Sequence, residues 1–522
     1  MTRFYTILGS ALLLSRGSYA TTGTITSADS CTATTPKAQT TGSSAGGDGN
    51  STDACSALAS VVPNGVVLPS SDAYAKSVNY WASGPASSKP DCFVIPSTGA
   101  QVGEIVKLLI KKSTPFTVKG GGHTPYAGAS SRDGGVVISM ESMAGVELSH
   151  DRSTVVVGPG ARWIDVSRSL DPHGLSVVGG RIGDVGVSGL LLGGGLSFFS
   201  GKLGFACDNV KEYEVVLASG QVVAASADSY QDLFWALRGG GGQNFGIVTS
   251  FRLRTVKTPG LWSNRNYIAG EPLIQQSISA FASLPPALKE DTDAHAYFAL
   301  VDVSGMGTLA SPSLFHPAPL QDNKWPATFA EFEKIPGLFN ETVAGNISTI
   351  IGPTTPAAGS FQLWQTLTVK ASSADVLLDF YKIFVEMVSE TRAQLDAAAM
   401  PTINFHTLTT KTLSLTGQNG GNPLGLSAAS GPLWIIQVNL QWNDASKTEA
   451  ATAIAQNTLA KAQDAAKARG VLEPFEYMNY AYKTQDVLAG YGSFNQAKLK
   501  MISEKYAFGG AIKKLWTGYF QV

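Results

Sequence analysis

Phe116–Ser131 reads FTVKGGGHTPYAGASS. A short apolar strand runs into Lys119, three consecutive glycines and His123. Glycines in a row give the backbone dihedrals closed to other residues and let a ligand approach the main chain. Successive N–H groups of such a loop form an anion-binding concavity suited to a pyrophosphate. His123 ends the loop, within reach of whatever the loop holds. The stretch therefore predicts a dinucleotide cofactor with His123 as the residue that carries it.

Two further glycine clusters follow. Gly179–Gly204 reads GGRIGDVGVSGLLLGGGLSFFSGKLG, ten glycines in 26 residues, interleaved with Val and Leu. A packed loop in a large core is one reading. Glycine at that density costs stability unless something must come close, which favours a ligand. Arg238–Gly246, RGGGGQNFG, is the third cluster.

Around these loops the pattern mixes strands and helices. Pro90–Pro96 reads as a short strand, and Val102, Ile105, Val106 and Leu109 mark one face of a helix. Thr114–Lys119, Val136–Ser139 and Thr154–Val157 read as strands, and Trp163–Leu170 as a short helix stopped by Asp171-Pro172-His173-Gly174. Tyr213–Ala218 and Gln221–Ala224 make a hairpin through Ser219-Gly220. Asp232–Leu237 is a helical turn, and in Ile247–Arg254 Phe251 and Leu253 face inward. Composition changes near Thr258-Pro259-Gly260. From there to about Gly470 longer helices, near Leu273–Leu284, Ala374–Ala398 and Ser446–Ala468, lie between strands such as Trp434–Trp442. This is expected to be a second domain, residues 261–470. The aromatic end, Glu473–Val522, follows it.

The chain of 522 residues can bury a large core, and a net charge of −1 without a basic stripe excludes nucleic acid as a partner. Residues 1–20 read as a signal peptide: Arg3, an apolar run Tyr5–Leu14 and the small-x-small site Ser18-Tyr19-Ala20. Nothing is long and apolar enough to span a bilayer. Export agrees with three Asn-x-Ser/Thr sequons, at Asn50, Asn340 and Asn346. Residues 21–54, rich in Ser, Thr, Gly and Ala, read as a flexible lead-in, with order starting at Cys55. Of the four cysteines, Cys55 and Cys92 flank the start of the first folded unit and are the expected disulfide. Cys31 falls in the lead-in, and Cys207 reads as a buried free thiol. No cysteine and histidine spacing suggests a metal site.

Several chemistries drop out. A Walker A loop needs Gly-Lys-Ser/Thr after its glycines, and here His123 follows. No cluster has the GxGxxG spacing and distal acidic residue of a Rossmann fingerprint, and no GxSxG elbow occurs.

KGGGHTPYAGASS, VGVSGLLLGGGLSFFSGKLGFACDNV, LFWALRGGGGQNFGIVTSF, and MNY with YGSFNQAKL, in that order, resemble the berberine-bridge-enzyme-like branch of the vanillyl-alcohol-oxidase flavoproteins, and among them the fungal secreted members. The match covers roughly Cys55–Thr255 and Glu473–Lys500. The resemblance implies an α+β fold: a two-subdomain PCMH-type FAD-binding domain, residues 87–257 with the flavin unit starting near 55. An antiparallel-sheet substrate domain flanked by helices follows, and residues 471–522 return to the flavin domain. It implies that Gly120, Gly121, Gly122, His123 and Thr124 cradle the FAD pyrophosphate, and that His123 is joined covalently to the flavin 8α-methyl. Gly128, Val185, Gly186, Val187, Gly189, Ile247 and Asn479 are implied to line the cofactor. Tyr480, beside the flavin, is the implied catalytic base.

Departures refine these expectations. Bicovalent members attach a cysteine where this chain has Ile182, so a single histidyl link is expected. That weakens the case for an open oligosaccharide site. Leu203 follows Lys202 where plant alcohol-oxidising members carry a tyrosine. Val185 matches the family's oxygen gate and points to O2 as electron acceptor.

The expected reaction is hydride transfer from an alcohol, phenol or alkaloid-like metabolite to the flavin, with O2 reduced to H2O2. A non-redox cyclase on the same fold, or an oligosaccharide oxidase, is the alternative. As a base, Tyr480 would need its pKa of about 10 lowered. Gln437, Asn439 and Gln441 alternate on one strand and so share a face, from which they could orient a substrate; His406 is a further candidate. Small molecules and O2 are the expected partners, on a monomer without membrane contact.

Overall fold

The computed structural model describes residues 50–317, 325–352, 359–507, 510–516 and 518–522. The expected signal peptide, most of the lead-in and Cys31 lie outside the described residues. Order starts earlier than expected: Asn50–Val61 is a helix. Its Ala54, Cys55 and Leu58 side is buried, as is Val62 just past its end, a helical spacing that the Ser/Thr-rich composition of the lead-in masks. Cys55 and Cys92 form a disulfide, which ties this helix to the first sheet. Cys207 is a buried free thiol.

The first sheet has the strand order Val66–Val67, Cys92–Val94, Val136–Ser139, Phe116–Lys119. Its last three strands are parallel. The parallel crossover between Cys92–Val94 and Phe116–Lys119 runs through helix Gly99–Lys111, which buries Val102, Ile105, Val106 and Leu109. Thr98 caps that helix by accepting from the Gln101 N–H.

The second sheet is antiparallel. Val146–Leu148, Thr154–Val157, Ile247–Lys257, Val210–Val216 and Val222–Ser226 lie in that order, and Leu175–Val177 extends the far end of Ile247–Lys257. The hairpin expected around Ser219-Gly220 joins Val210–Val216 to Val222–Ser226.

At Leu261 the chain enters a third sheet of eight strands, all paired antiparallel. Its order is Phe339–Gly345, Leu261–Ala269, Gly307–Pro317, His295–Val303, Met400–Leu408, Leu433–Trp442, Phe361–Lys370 and Leu472–Glu473. Trp434, Ile436, Val438 and Leu440 point to one face. There they join Phe298, Phe405, Phe380, Phe384 and Ala455 in a core formed with helices Glu271–Ala282, Ala374–Gln394 and Thr448–Ala468. Leu433 and Ile435 point the other way and belong to the core of the second sheet. Period-two alternation thus sends one side of Leu433–Trp442 to the helices and the other toward the glycine loops.

Candidate active site

Phe116–Lys119 ends where the first glycine loop begins. Lys119 does not serve the loop's ligand. Its ammonium is buried beneath the loop, donates to the Ser77 carbonyl at 2.8 Å and sits 4.3 Å from the Tyr80 ring centroid. Gly121 and Gly186 meet back to back: a Cβ on Gly121 would lie 2.4 Å from the Gly186 Cα. Arg162 ties the pair, donating to the Gly121 carbonyl at 3.0 Å and to the Asp184 carbonyl at 2.6 Å. Gly122, with φ of 69°, adopts the left-handed backbone that turns the chain toward His123.

The two loops, with Gly241, Gly242 and Gln243 from the third, wall a cavity of about 350 Å³. Thr124, Ile182, Val185, Ile247, Asn479 and Tyr480 face it as well. Gly189 lines it too, and a Cβ there would have no protein atom within 4 Å. A glycine in a helix, bordered by empty space, is costly unless something occupies that space. The cavity wall therefore fits a flavin dinucleotide: glycines of three loops line it, and Gly189 leaves a bare face beside them. Two expected cofactor residues lie elsewhere. Val187 is fully buried in the core, because its position in helix Val187–Leu192 turns it away from the cavity. Gly128 packs against Tyr519, whose hydroxyl would lie 2.9 Å from a Cβ there.

His123 is stacked on Trp81, ring centroids 4.2 Å apart and planes 19° apart, with Trp364 of the third sheet at 6.1 Å. Burial, and then the Arg162 charge, push its pKa down to about 3. The imidazole is neutral across the physiological range.

The segment Tyr477–Tyr480 closes the opposite side. Asn479 donates to the Leu190 carbonyl at 3.1 Å and to the Tyr477 hydroxyl at 3.0 Å, and that hydroxyl accepts from the Gly195 N–H at 3.1 Å. The C-terminal turn thereby grips the second glycine loop. Beside it stands a cluster that the sequence did not reveal. Arg181 donates through Nη2 to the Tyr480 hydroxyl at 2.9 Å, and through Nη1 to His295 Nε2 at 3.0 Å and His406 Nδ1 at 3.2 Å. Both histidines are buried, and burial with the nearby Arg181 charge holds each well below the usual imidazole pKa. The expected base role for Tyr480 meets an obstacle here: burial raises its phenol pKa, and the Arg181 charge offsets only part of that rise.

His406 stands behind Tyr480, ring centroids 5.2 Å apart, and does not line the cavity. Gln437, Asn439 and Gln441 do share one face, that of His406 and Asn404. They do not line the cavity either. Gln437 accepts from Asn404 at 3.4 Å, and Gln441 from Gln362 at 2.8 Å. Trp364, on the neighbouring strand, reaches the cavity in their place. Arg181, Trp81 and Trp364 escape a reading of the sequence because each acts with a partner distant in sequence. Arg181 had one local signal, a lone cation inside a glycine-rich, otherwise apolar stretch.

Residues 90–226 match the FAD binding domain family. The FAD-dependent monooxygenase tpcD of Cochliobolus heterostrophus is 31% identical over 446 residues, covering 84% of this chain and 86% of that protein. The FAD-dependent monooxygenase FUP4 of Fusarium proliferatum is 32% identical over 452 residues, with the same coverage of 84% and 86%. Among solved structures, the glucooligosaccharide oxidase of Acremonium strictum, described with a 6-S-cysteinyl, 8α-N1-histidyl FAD, has a TM-score of 0.71 at 20% identity, covering 90% of this chain and 98% of that one. A glycine-walled cavity, an FAD binding domain over its first two loops, and near-full-length relatives establish that this chain is a FAD-dependent oxidoreductase of the family that holds the fungal FAD-dependent monooxygenases tpcD and FUP4.

Proposed function

We propose that this enzyme is a secreted oxidase that carries FAD on His123 by one covalent bond. It would oxidise an alcohol, a phenol or an alkaloid-like metabolite at the expense of O2. The observation that carries the covalent reading is the state of His123. Its ring is fixed against Trp81 at 4.2 Å and is held neutral, so a ring nitrogen keeps the lone pair that a bond to carbon requires. The cradle residues Gly120–Thr124, Gly186 and Gly189 would hold the cofactor. Bound there, the flavin supplies a two-electron acceptor that O2 can regenerate with release of H2O2.

The protein's own groups then orient the substrate. Tyr480 is the residue proposed to touch the reacting oxygen. Its hydroxyl oxygen accepts from Arg181, which leaves its proton to donate. Trp364 and Ile182 offer apolar walls for a ring. Val185 in the cavity wall fits the proposed use of O2. Export is supported by the Cys55–Cys92 disulfide. Asn340 and Asn346 are exposed and available as glycan acceptors; Asn50 opens the first helix.

The test is oxygen uptake by the purified protein on a panel of alcohols, phenols and sugars, with peroxide measured in parallel. One H2O2 per O2 is expected, and Tyr480→Phe should lose most turnover while retaining its flavin. The names of the fungal relatives raise a second reading, monooxygenation, which would consume O2 without equivalent peroxide and would require an added two-electron reductant. Product formed with no oxygen uptake would mean a cyclase.

A further inference from the structure

Arg181 is the only charged side chain among the described residues that line the cavity. A guanidinium drawn away from water is costly unless a counter-charge or a full set of acceptors meets it. Arg181 makes no ion pair among the described residues, and its three acceptors, His295 Nε2, His406 Nδ1 and the Tyr480 hydroxyl, are all neutral groups. The planar fork carries five N–H donors. Two on Nη1 and one on Nη2 are engaged, which leaves one on Nη2 and the Nε–H.

The neighbours reinforce this polarity. His295 and His406 accept from Arg181, so each carries its own proton on the other ring nitrogen. For His406 that is Nε2, a buried N–H with no partner among the described residues. The Tyr480 hydroxyl accepts from Arg181 and has no acceptor of its own among the described residues. The Tyr297 ring lies 5.3 Å from the Arg181 guanidinium carbon, and no carboxylate among the described residues joins the group. The cluster is rich in donors, carries positive charge and lacks an anion.

We propose that Arg181 is an oxyanion-binding residue and that the enzyme takes its substrate as a delocalised oxyanion, a phenolate or an enolate, whose oxygen pairs with Arg181 and accepts from Tyr480. The proposal rests on the oxidoreductase reading only in setting this ligand beside the flavin. It narrows the substrate class: a neutral sugar or a simple alcohol has no such oxygen. It also removes the need for a base, since the substrate oxygen arrives without its proton. The fork presents paired, in-plane donors to a charge shared over a conjugated system, which an ammonium would not. The flavin is a second possible source of a nearby negative charge, once reduced, and the test separates the two.

The probe is 4-nitrophenol, whose anion absorbs in the visible, titrated into the oxidised holoprotein at about pH 6, where the free phenol is mostly neutral. The expected result is that the bound probe shows the anion band, because a guanidinium against the oxygen favours the charged form. Arg181→Gln should weaken its binding roughly tenfold or more, while the neutral 4-nitroanisole shifts less than about twofold. Arg181→Lys should recover only part of the loss. A probe that binds the wild-type protein as the neutral phenol overturns the proposal, and this arm needs no variant. So does an Arg181→Gln protein that keeps its nitrophenol affinity while its flavin midpoint potential falls, since Arg181 would then serve the cofactor. Failure of the oxidase reading would register differently, as absent flavin or absent oxygen uptake, whatever the probe does.

Discussion

Gly121 and Gly189 allow the same perturbation, an added methyl group, in opposite surroundings. In Gly121→Ala the new Cβ would lie 2.4 Å from the Gly186 Cα and 2.7 Å from the Gly186 N, both backbone atoms. Neither loop can yield without the other, and overpacking of this kind costs about 1–3 kcal/mol. The variant should lose fold stability and flavin together. In Gly189→Ala the new Cβ meets no protein atom within 4 Å, and the position lies inside helix Val187–Leu192. Alanine there should stabilise the protein without flavin by about 0.5–1 kcal/mol, the usual helix-interior difference. The methyl nevertheless enters the space assigned to the cofactor. If it overpacks that space by about 1–3 kcal/mol, FAD binds roughly 5- to 150-fold more weakly. The assay uses a His123→Ala background, where FAD binds reversibly, with calorimetry for affinity and urea unfolding for stability. Unchanged FAD affinity in Gly189→Ala, beside a stability equal to or above the parent, would refute the cofactor placement. A fall in apoprotein stability would refute the claim that the space is empty of protein.

Other outcomes follow from the same geometry. Trp81→Ala removes the ring stacked on His123, so the fraction of flavin surviving acid precipitation should fall while total flavin in the native protein changes less; absorbance before and after precipitation reads both. His123, His295 and His406 all have folded pKa values below the ordinary imidazole value. The unfolded chain therefore binds more protons below about pH 6.5, and apoprotein stability should fall as pH drops through that value, by about 1 kcal/mol per unit for each histidine. Urea midpoints at about pH 7 and pH 5 check the sign, and a midpoint that rises on acidification contradicts it. Cys55→Ser with Cys92→Ser opens a cross-link spanning 37 residues, worth about 4 kcal/mol in the chain-entropy estimate. Thermal unfolding of the double variant should show the helix Asn50–Val61 and its sheet melting earlier.

The parts legible in the sequence were those with a local signature. Val102, Ile105, Val106 and Leu109 announced a helix by spacing alone, and helix Gly99–Lys111 buries those four. The Ser219-Gly220 turn gave its hairpin, and the glycine runs gave the cavity wall. What stayed hidden depended on pairing across the chain. Gly121 against Gly186, and Arg181 against His295, His406 and Tyr480, bring together residues from 65 to 299 positions apart. The glutamines of Leu433–Trp442 show a subtler limit. Alternation gave their shared face correctly, but a face can be shared and still lie away from the cavity, where only the tertiary arrangement decides which strand reaches it. The start of the ordered chain is hidden in the sequence because small polar residues dominate the exposed side of helix Asn50–Val61 and mask its buried side.

The central claim is that His123 carries the flavin, and the most direct measurement is the mass of the proteolytic peptide spanning Lys119–Arg132, with the protein first precipitated in acid. The expected result is a yellow pellet and a peptide heavier by one FAD, with fragmentation mapping the addition to His123. An unmodified peptide, with all flavin left in the supernatant, would contradict it.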